Sequence, residues 1–320
     1  MSDSARRKFR LITRSDMDGL VCAVLLRELD LIGDIKFVHP KDMQDGVVEV
    51  GPNDITTNLP YVPGVHLAFD HHASEMERQS EIADNHVIDP KAPSAARVVY
   101  DYYGGAKQFE TIGHDIMAAV DKADSAAFTK DDVLDAKGWE LLSFLMDSRT
   151  GLGRFRDFRI SNYELMMDLI DYCRTEQNID KILALPDVAE RVELYKKYEA
   201  KFKEQIERCT TMHGPLAVLD LRNEETIWPG NRFMIYALFP KSTISCHVIW
   251  GRNKQNTVFA LGKSIFDRSA KTNIGSLCLK FEGGGHHAAG TCQIDNDKAE
   301  QALGTIISTI AETERDPIAA

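Results

Sequence analysis

The stretch Val65-His66-Leu67-Ala68-Phe69-Asp70-His71-His72 places three chemically active side chains directly after a short apolar run. The run predicts a buried β-strand, and Asp70, His71 and His72 follow where that strand ends. A carboxylate and two imidazoles in one short segment are typical of a metal-binding or acid–base cluster. A histidine pair on its own would more often be structural, so the functional interpretation depends on what the rest of the chain adds.

A pair of aspartates follows another predicted strand, Phe9–Thr13. Asp16 and Asp18 lie two positions apart, just before the helical pattern Leu20–Leu29. Two neighbouring carboxylates repel each other and raise each other's pKa, and a divalent cation between them relieves that repulsion. The alternative is that one of them caps the helix, because Asp is favoured at the positive end of the helix dipole.

The pattern of apolar runs predicts an α/β fold. Short strand-like runs alternate with helical patterns through residues 1–136, which indicates a parallel sheet. Ligands of open α/β sheets bind at the carboxyl ends of the strands, where both acidic segments fall. Residues 137–212 have a helical pattern and are predicted to form a connector. Strand patterns return in residues 213–320, which are predicted to form a smaller second α/β domain.

Composition restricts the class of protein. The chain has 320 residues, 43% hydrophobic and 27% charged, which is typical of a globular protein. Six scattered cysteines, a polar N-terminus and the lack of a long apolar stretch predict a cytoplasmic protein without a membrane partner. The net charge of −11 argues against binding long duplex nucleic acid. Residues 226–281, however, hold eight basic side chains and one acidic, which suits a short polyanion.

The segment Gly283-Gly284-Gly285-His286-His287-Ala288-Ala289-Gly290 is the third distinctive motif. Its glycines can expose backbone N–H groups to an anion, or they can cap the predicted helix Ile274–Phe281. Together, the three motifs resemble the DHH phosphoesterases, which carry a DHH-associated domain at the C-terminus. The resemblance implies a catalytic domain over residues 1–136 and a substrate-binding domain over residues 213–320.

The resemblance also implies roles for particular residues. Asp70, His71 and His72 are implied as catalytic, with Asp70 bridging or orienting a ligand and His72 orienting a ligand or transferring protons. Asp121 competes with Asp124 for the last position of the metal site. Mixed carboxylate and imidazole ligands favour manganese, with magnesium or cobalt as alternatives. The implied ligands of one or two metals are Asp16, Asp18, Asp54, Asp70, His71 and Asp124.

One residue departs from the family pattern. The histidine that usually begins the first motif is Arg14 here, and an arginine has no lone pair to donate to a metal. The change would weaken one metal position, or Arg14 would bind a substrate phosphate, or it is a surface residue beside the strand. The implied substrate-binding residues are Arg14, Lys263, Arg268, Gly283, Gly284, Gly285, His286 and His287.

The function implied by the resemblance is metal-dependent hydrolysis of phosphodiester bonds, in short oligonucleotides or cyclic dinucleotides, by metal-activated water. An exopolyphosphatase-like activity is the alternative among enzymes. A nucleotide-binding sensor without turnover is the alternative from another class, because Arg14 would weaken the metal site. The sequence leaves the oligomeric state open, a homodimer included.

Overall fold

The structure is a computed structural model that describes residues 8–72, 75–76 and 81–315. The chain divides into two compact units: Met1–Phe128 with Ala136–Leu194, and Thr129–Asp135 with Tyr195–Ala320. These bounds differ from the predicted ones, because residues 137–212 are shared between the units. The reason is burial: Leu142, Met166 and Leu169 from this segment belong to the core of the first unit.

A five-stranded parallel sheet lies at the centre of the first unit, in the order β2-β1-β3-β4-β5. The predicted α/β class is therefore confirmed. Thr56 lies opposite Ile12 on one side and Ala68 on the other, so the carboxyl ends of β1, β3 and β4 meet at one edge. The strands are β1 Phe9–Thr13, β2 Ile32–Phe37, β3 Asp54–Thr57, β4 Leu67–Asp70 and β5 His86–Ile88.

The central helix of the first unit is α1, and every residue from Met17 to Leu26 is buried. A helix that is apolar on all sides is stable only when other elements surround it. Its N-terminal turn also needs Gly19, since a Cβ there would lie 1.9 Å from the carbonyl oxygen of Arg14. The helices of this unit are α1 Met17–Glu28, α2 Pro40–Gln44, α3 Ala95–Tyr102, α4 His114–Asp124, α6 Gly138–Met146, α7 Asn162–Thr175, α8 Ile179–Leu183 and the first part of α9 Pro186–Cys209.

The second unit is built on a six-stranded sheet in the order β10-β11-β9-β8-β7-β6, in which β7 and β8 are parallel and the other pairs antiparallel. The end of α9 belongs to this unit. Its strands are β6 Thr210–His213, β7 Leu216–Asp220, β8 Ile244–Trp250, β9 Thr257–Lys263, β10 Gly284–His286 and β11 Ala289–Ile294. Its other helices are α5 Lys130–Leu134, α10 Met234–Leu238, α11 Ile274–Leu279 and α12 Ala299–Glu314.

Within the part of the chain that the structure describes, no helix is both long and apolar enough to cross a membrane.

Candidate functional site

Asp18 lies buried in the first turn of α1, after the carboxyl end of β1. Its two carboxylate oxygens accept hydrogen bonds from the backbone N–H groups of Ala95 and Ala96, at 3.1 and 2.7 Å. These bonds fix the carboxylate at the start of α3. Burial, and then repulsion from Asp124, raise the pKa of Asp18 well above its usual range. A carboxyl group with a raised pKa is most readily kept ionised at neutral pH by a nearby cation.

His71 follows β4 and faces Asp124 at the end of α4. Nδ1 of His71 lies 3.1 Å from the carbonyl oxygen of Ala92, which can only accept, so Nδ1 is the donor. Nε2 is thereby directed to Asp124 and lies 2.7 Å from its Oδ2, but without the alignment of a hydrogen bond. A nitrogen and a carboxylate oxygen this close can serve as ligands of one cation.

The charges that lie close together around His71 and Asp124 shift the pKa values of both groups. Burial opposes a charged imidazolium, but the contact with Asp124 and the charges of Asp124 and Asp18 outweigh it and raise the pKa of His71 to about 9. Burial also opposes the carboxylate of Asp124, but the contact with His71 and the nearby positive charges lower its pKa. The site is therefore an acidic pocket that favours positive charge.

Three of the proposed ligands come together. Asp18, His71 and Asp124 each offer one ligand atom, and these atoms lie within 4.8 Å of one another. One nitrogen and two carboxylate oxygens are a suitable donor set for manganese or a similar divalent ion. The residues present therefore fit a metal.

Asp70, at the end of β4, has one satisfied and one unsatisfied oxygen. Oδ1 accepts a hydrogen bond from the backbone N–H of His71 at 2.8 Å and lies 2.7 Å from Nδ1 of His72. Oδ2 is buried and has no hydrogen-bond partner among residues 8–72, 75–76 and 81–315. A buried carboxylate oxygen without a donor is costly, and a bound cation would remove that cost. Asp70 thus orients His72 and keeps one oxygen available.

Asp16 is the N-cap of α1, which was the alternative interpretation of this residue. Its Oδ1 accepts from the N–H of Gly19 at 3.0 Å, and its Oδ2 lies 3.1 Å from Nε of Arg14. The charge of Asp16 raises the pKa of Arg14, followed by those of Asp124, Asp18 and Asp147. The arginine is therefore a fixed positive charge beside the acidic cluster.

The structure does not bring Asp54 to this cluster, which corrects the sequence assignment. Asp54 is the first residue of β3, so it lies at the amino end of the strand, away from the edge with Asp70. Arg10 binds its two oxygens at 2.8 and 2.9 Å, and the N–H of Gly51 donates to it at 2.7 Å. These contacts give Asp54 a structural role.

Asn58 follows the carboxyl end of β3 and was missed by the sequence analysis. Its N–H donates to the carbonyl of Phe69 at 3.0 Å, which places it beside the end of β4. Its φ of +55° lies in the left-handed region. Within the part of the chain that the structure describes, its buried amide nitrogen and oxygen have no hydrogen-bond partner. Strain and unsatisfied polar atoms together are characteristic of functional sites. The position of Asn58 directly after a strand would have pointed to it, but the sequence analysis did not predict strand β3.

The choice between Asp121 and Asp124 is clear from the contacts. Asp121 accepts a hydrogen bond from the hydroxyl of Ser94 at 2.8 Å and binds the guanidinium of Arg97. These contacts hold the start of α3. Asp124, on the same helix, faces His71 instead, so the geometry favours Asp124 as the ligand.

The glycine–histidine segment forms a strand in the second unit, where a loop or a helix cap had been expected. Helix α11 ends at Leu279, before the glycines, and Gly284–His286 form β10. A Cβ at Gly283 or Gly285 would lie 2.4 or 2.3 Å from a carbonyl oxygen of β11, so these glycines permit close packing of the hairpin.

The basic residues of this region are partly brought together. Lys263 places its Nζ 3.3 Å from Nδ1 of His287 and donates to the carbonyl of Ala270 at 2.9 Å. Burial lowers the pKa of Lys263. Arg268 contacts the carbonyl of Ile265 at 3.5 Å. Lys263 and His287 thus form one polar group at the end of β9.

We expect Gly285→Ala to destabilise the protein by about 2 kcal/mol, because Gly285 has a φ of +152° and no room for a Cβ. Gly284→Ala is the matched control, since a Cβ there meets nothing within 4 Å. Urea unfolding of both variants measures the difference. Equal stability of the two variants would contradict the packing role of Gly285.

No family model matches the chain, and no curated protein matches it. Among solved structures, the chain is 59% identical to the pGpG-specific phosphodiesterase PggH of Vibrio cholerae, covering 96% of this chain and 100% of that one, with a TM-score of 0.80. It is 15% identical to a manganese-bound exonuclease RecJ, covering 97% of this chain and 91% of that one, with a TM-score of 0.50. The second likeness concerns the fold alone.

Proposed function

Because the chain belongs to the DHH family of phosphoesterases, we propose that it is a metal-dependent phosphodiesterase that hydrolyses a short guanylate dinucleotide of the pGpG type. The observation that carries the proposal is the full-length likeness, at 59% identity, to a phosphodiesterase specific for pGpG. The convergence of Asp18, His71 and Asp124 supports the hydrolytic chemistry. The chain is thus a phosphohydrolase that cleaves phosphodiester bonds.

The proposed metal is manganese, with magnesium or cobalt as alternatives. Asp18, His71 and Asp124 would hold it, and the unsatisfied oxygen of Asp70 and the amide of Asn58 are further donors at the same sheet edge. When bound, a divalent cation would lower the pKa of water and neutralise charge that develops on the phosphate. The acidic, partly buried surroundings of the three ligands favour such an ion over a neutral occupant.

The chain's own residues orient the reacting groups. The carbonyl of Ala92 fixes the tautomer of His71, so that Nε2 faces the acidic cluster. Asp70 holds the ring of His72 through Nδ1, and we assign proton transfer to His72. Arg14, fixed by Asp16, offers a positive charge to a phosphate oxygen. We assign positioning to Asp70 and substrate binding to Arg14.

The proposed substrate-binding residues of the second unit are Lys263, Arg268 and the histidines after the glycines. Lys263 and His287 adjoin each other, and His286 lies in the exposed strand β10. A lysine ammonium beside an imidazole suits a terminal phosphate. The glycines contribute by allowing the hairpin to pack closely, as described above.

Product chromatography tests the proposed function. Purified protein with manganese is incubated separately with pGpG, pApA, a cyclic dinucleotide and polyphosphate. We expect GMP from pGpG, and loss of this product when the metal is removed with EDTA. Phosphate release from polyphosphate alone would favour the exopolyphosphatase-like alternative. Absence of any product would contradict the proposal.

Arg14 distinguishes the enzyme from the non-catalytic sensor. If Arg14 binds the substrate phosphate, Arg14→Ala should raise KM for pGpG about tenfold and change kcat less, because one charged hydrogen bond is lost. Arg14→Lys should recover part of the loss. Steady-state kinetics provide the measurement. A sharp rise in activity for Arg14→His would instead show that the arginine weakens the metal site.

A further inference from the structure

A pocket of about 140 Å³ lies in the first unit, beside the turn that leads into α1. Ser15, which precedes the N-cap of α1, lines it. Pockets for drug-sized molecules usually measure roughly 300–1,000 Å³, so this one has room for a fragment such as a single nucleobase. Its wall is mostly apolar and includes Leu142, Leu145, Met146, Leu165, Met166 and Leu169.

Three of the four polar residues in this wall are held by other parts of the protein. Asp147 accepts hydrogen bonds from the backbone N–H and from Nε of Arg149, at 2.9 and 2.8 Å. Arg191 is buried and donates to the side-chain oxygen of Asn162 at 2.9 Å. These groups maintain the wall, so the pocket offers a ligand an apolar surface. A surface of this kind suits the faces of a planar base.

Two arginines without a carboxylate partner follow the pocket wall along the chain. Leu152 and Gly153 line the pocket, and the same turn ends at Arg154. Among the residues of the first unit that the structure describes, every arginine except Arg154 and Arg156 forms an ion pair. In a chain of net charge −11, these two residues leave a local positive charge at the rim of the pocket.

Arg154 also loses part of its hydration to the surrounding protein. The residue is exposed, but nearby protein atoms desolvate its guanidinium and lower the pKa of Arg154. A partly desolvated cation is stabilised by an anion beside it. Arginine binds phosphate well, because its planar fork donates two parallel hydrogen bonds. Arg154 is therefore suited to a phosphate group.

The phosphates of the proposed substrate already have binding residues. The dinucleotide pGpG carries one phosphate in the diester linkage and one at the 5′ end. The metal ligands with Arg14 would bind the first, and Lys263 with His287 would bind the second. Arg154 and Arg156 thus provide a further phosphate site. Hydrolysis supplies a ligand for it, because addition of water to the diester breaks the bond from phosphorus to the 3′ oxygen and releases two molecules of GMP.

We infer that the pocket, Arg154 and Arg156 form a binding site for a free nucleoside monophosphate such as GMP. The base lies in the pocket, and the phosphate lies outside it against the two arginines. The inference rests on the proposed function, which supplies the ligand, and extends that function to the product. Ser15 lies between Arg14 and Asp16, so the site adjoins the turn that carries the catalytic groups.

Equilibrium binding of GMP and guanosine to the full-length protein in EDTA tests the phosphate site without catalysis. Wild type should bind GMP about 10- to 100-fold more tightly than guanosine, as hydrogen bonds to a charged group give. Arg154→Gln should lose most of this preference, and Arg154→Lys should recover part of it. GMP should still bind when pGpG is saturating. An unchanged preference in Arg154→Gln, or complete displacement of GMP by pGpG, would overturn the inference.

Arg174→Gln is the matched control for the loss of charge. Arg174 pairs with Glu28, which lies at the other end of α1 from Asp18. The variant removes the same charge from the same unit at a distance where salt screens it, so its preference for GMP should stay within about twofold of wild type. An equal loss in Arg174→Gln and Arg154→Gln would show that net charge, and not a site at Arg154, determines binding.

Gly153→Leu tests the place of the base. A Cβ at Gly153 meets nothing within 4 Å, so the larger side chain occupies open space at the pocket without displacing its neighbours. GMP and guanosine should both bind at least about tenfold more weakly, because the base loses its apolar contacts. Gly304→Leu, at an exposed position on α12 where a Cβ is equally free, should bind both as wild type does. Wild-type binding by Gly153→Leu would contradict the assignment of the pocket.

The failure of this inference differs from the failure of the proposed function. Thermal unfolding, with a melting temperature close to wild type, first shows that each variant keeps the fold. If wild type hydrolyses pGpG but Arg154→Gln and Gly153→Leu bind GMP as wild type does, the nucleotide site fails alone. If GMP binds through Arg154 but wild type releases no product from pGpG, the proposed function fails and the site stands.

Discussion

Asp124→Asn should lower kcat/KM for pGpG by at least about 100-fold, because changes outside the ligand set already cost 10- to 100-fold at metal sites. Asp124 contributes one of three converging ligand atoms and faces His71 at 2.7 Å. The amide keeps the shape of the side chain but removes its charge and one acceptor. Steady-state kinetics in manganese measure the loss.

Asp121→Asn is the matched control for this prediction, since both residues are aspartates on α4. Asp121 binds Ser94 and Arg97, so its loss should cost about 1 kcal/mol of stability and leave kcat/KM within a few-fold of wild type. The kinetic comparison is made below the melting temperature of both variants. A larger loss of activity in Asp121→Asn than in Asp124→Asn would reverse the assignment of the two residues.

Asp70→Asn should lower the activity of the enzyme without lowering the stability of the metal-free protein. The amide oxygen can still accept from the N–H of His71, but the buried charge at Oδ2 disappears. We expect kcat/KM to fall by at least about 100-fold, because the ring of His72 loses its charged partner and the site loses a negative charge. In EDTA, the variant should be at least as stable as wild type, because a buried negative charge is replaced by a neutral amide.

Thermal unfolding with and without manganese measures the stability of Asp70→Asn and how much the metal adds to it. A ligand at one hundred times its Kd stabilises the folded state by about 2.7 kcal/mol, and Asp70→Asn should lose much of that gain. Asp84→Asn, an exposed change before β5, is the control and should keep it. If manganese stabilised Asp70→Asn as much as it stabilises wild type, Asp70 would not act at the metal site.

The sequence predicted the first unit well where apolar runs ended in charged residues. The run before Asp70 and the run before Asp16 were both read as strands of a parallel sheet, and both lie in it. The principle that ligands meet at the carboxyl ends of parallel strands led to Asp16, Asp18 and the segment from Asp70 to His72, of which Asp18 and His71 join the cluster. Asp124 came from the family resemblance and lies against His71 in the structure.

The parts that sequence reasoning missed depend on tertiary contacts. Strand β3 has four buried residues and too little alternation to be recognised. Asp54, which was assigned from the family resemblance, begins this strand, and Asn58 follows its other end. The packing role of Gly285 depends on its opposition to Gly290 across the hairpin. Residues 137–212 are divided between the two units because residues such as Leu142 are buried in the core of the first unit. The helical periodicity of a segment does not show which core it packs against.

Anomalous diffraction from crystals grown with manganese tests the central claim most directly. The account predicts a manganese peak within about 2.0–2.3 Å of ligand atoms from Asp18, His71 and Asp124, a distance typical of metal–oxygen and metal–nitrogen bonds. A peak bound instead at Asp54, or the absence of a peak among these three residues at saturating manganese, would contradict it.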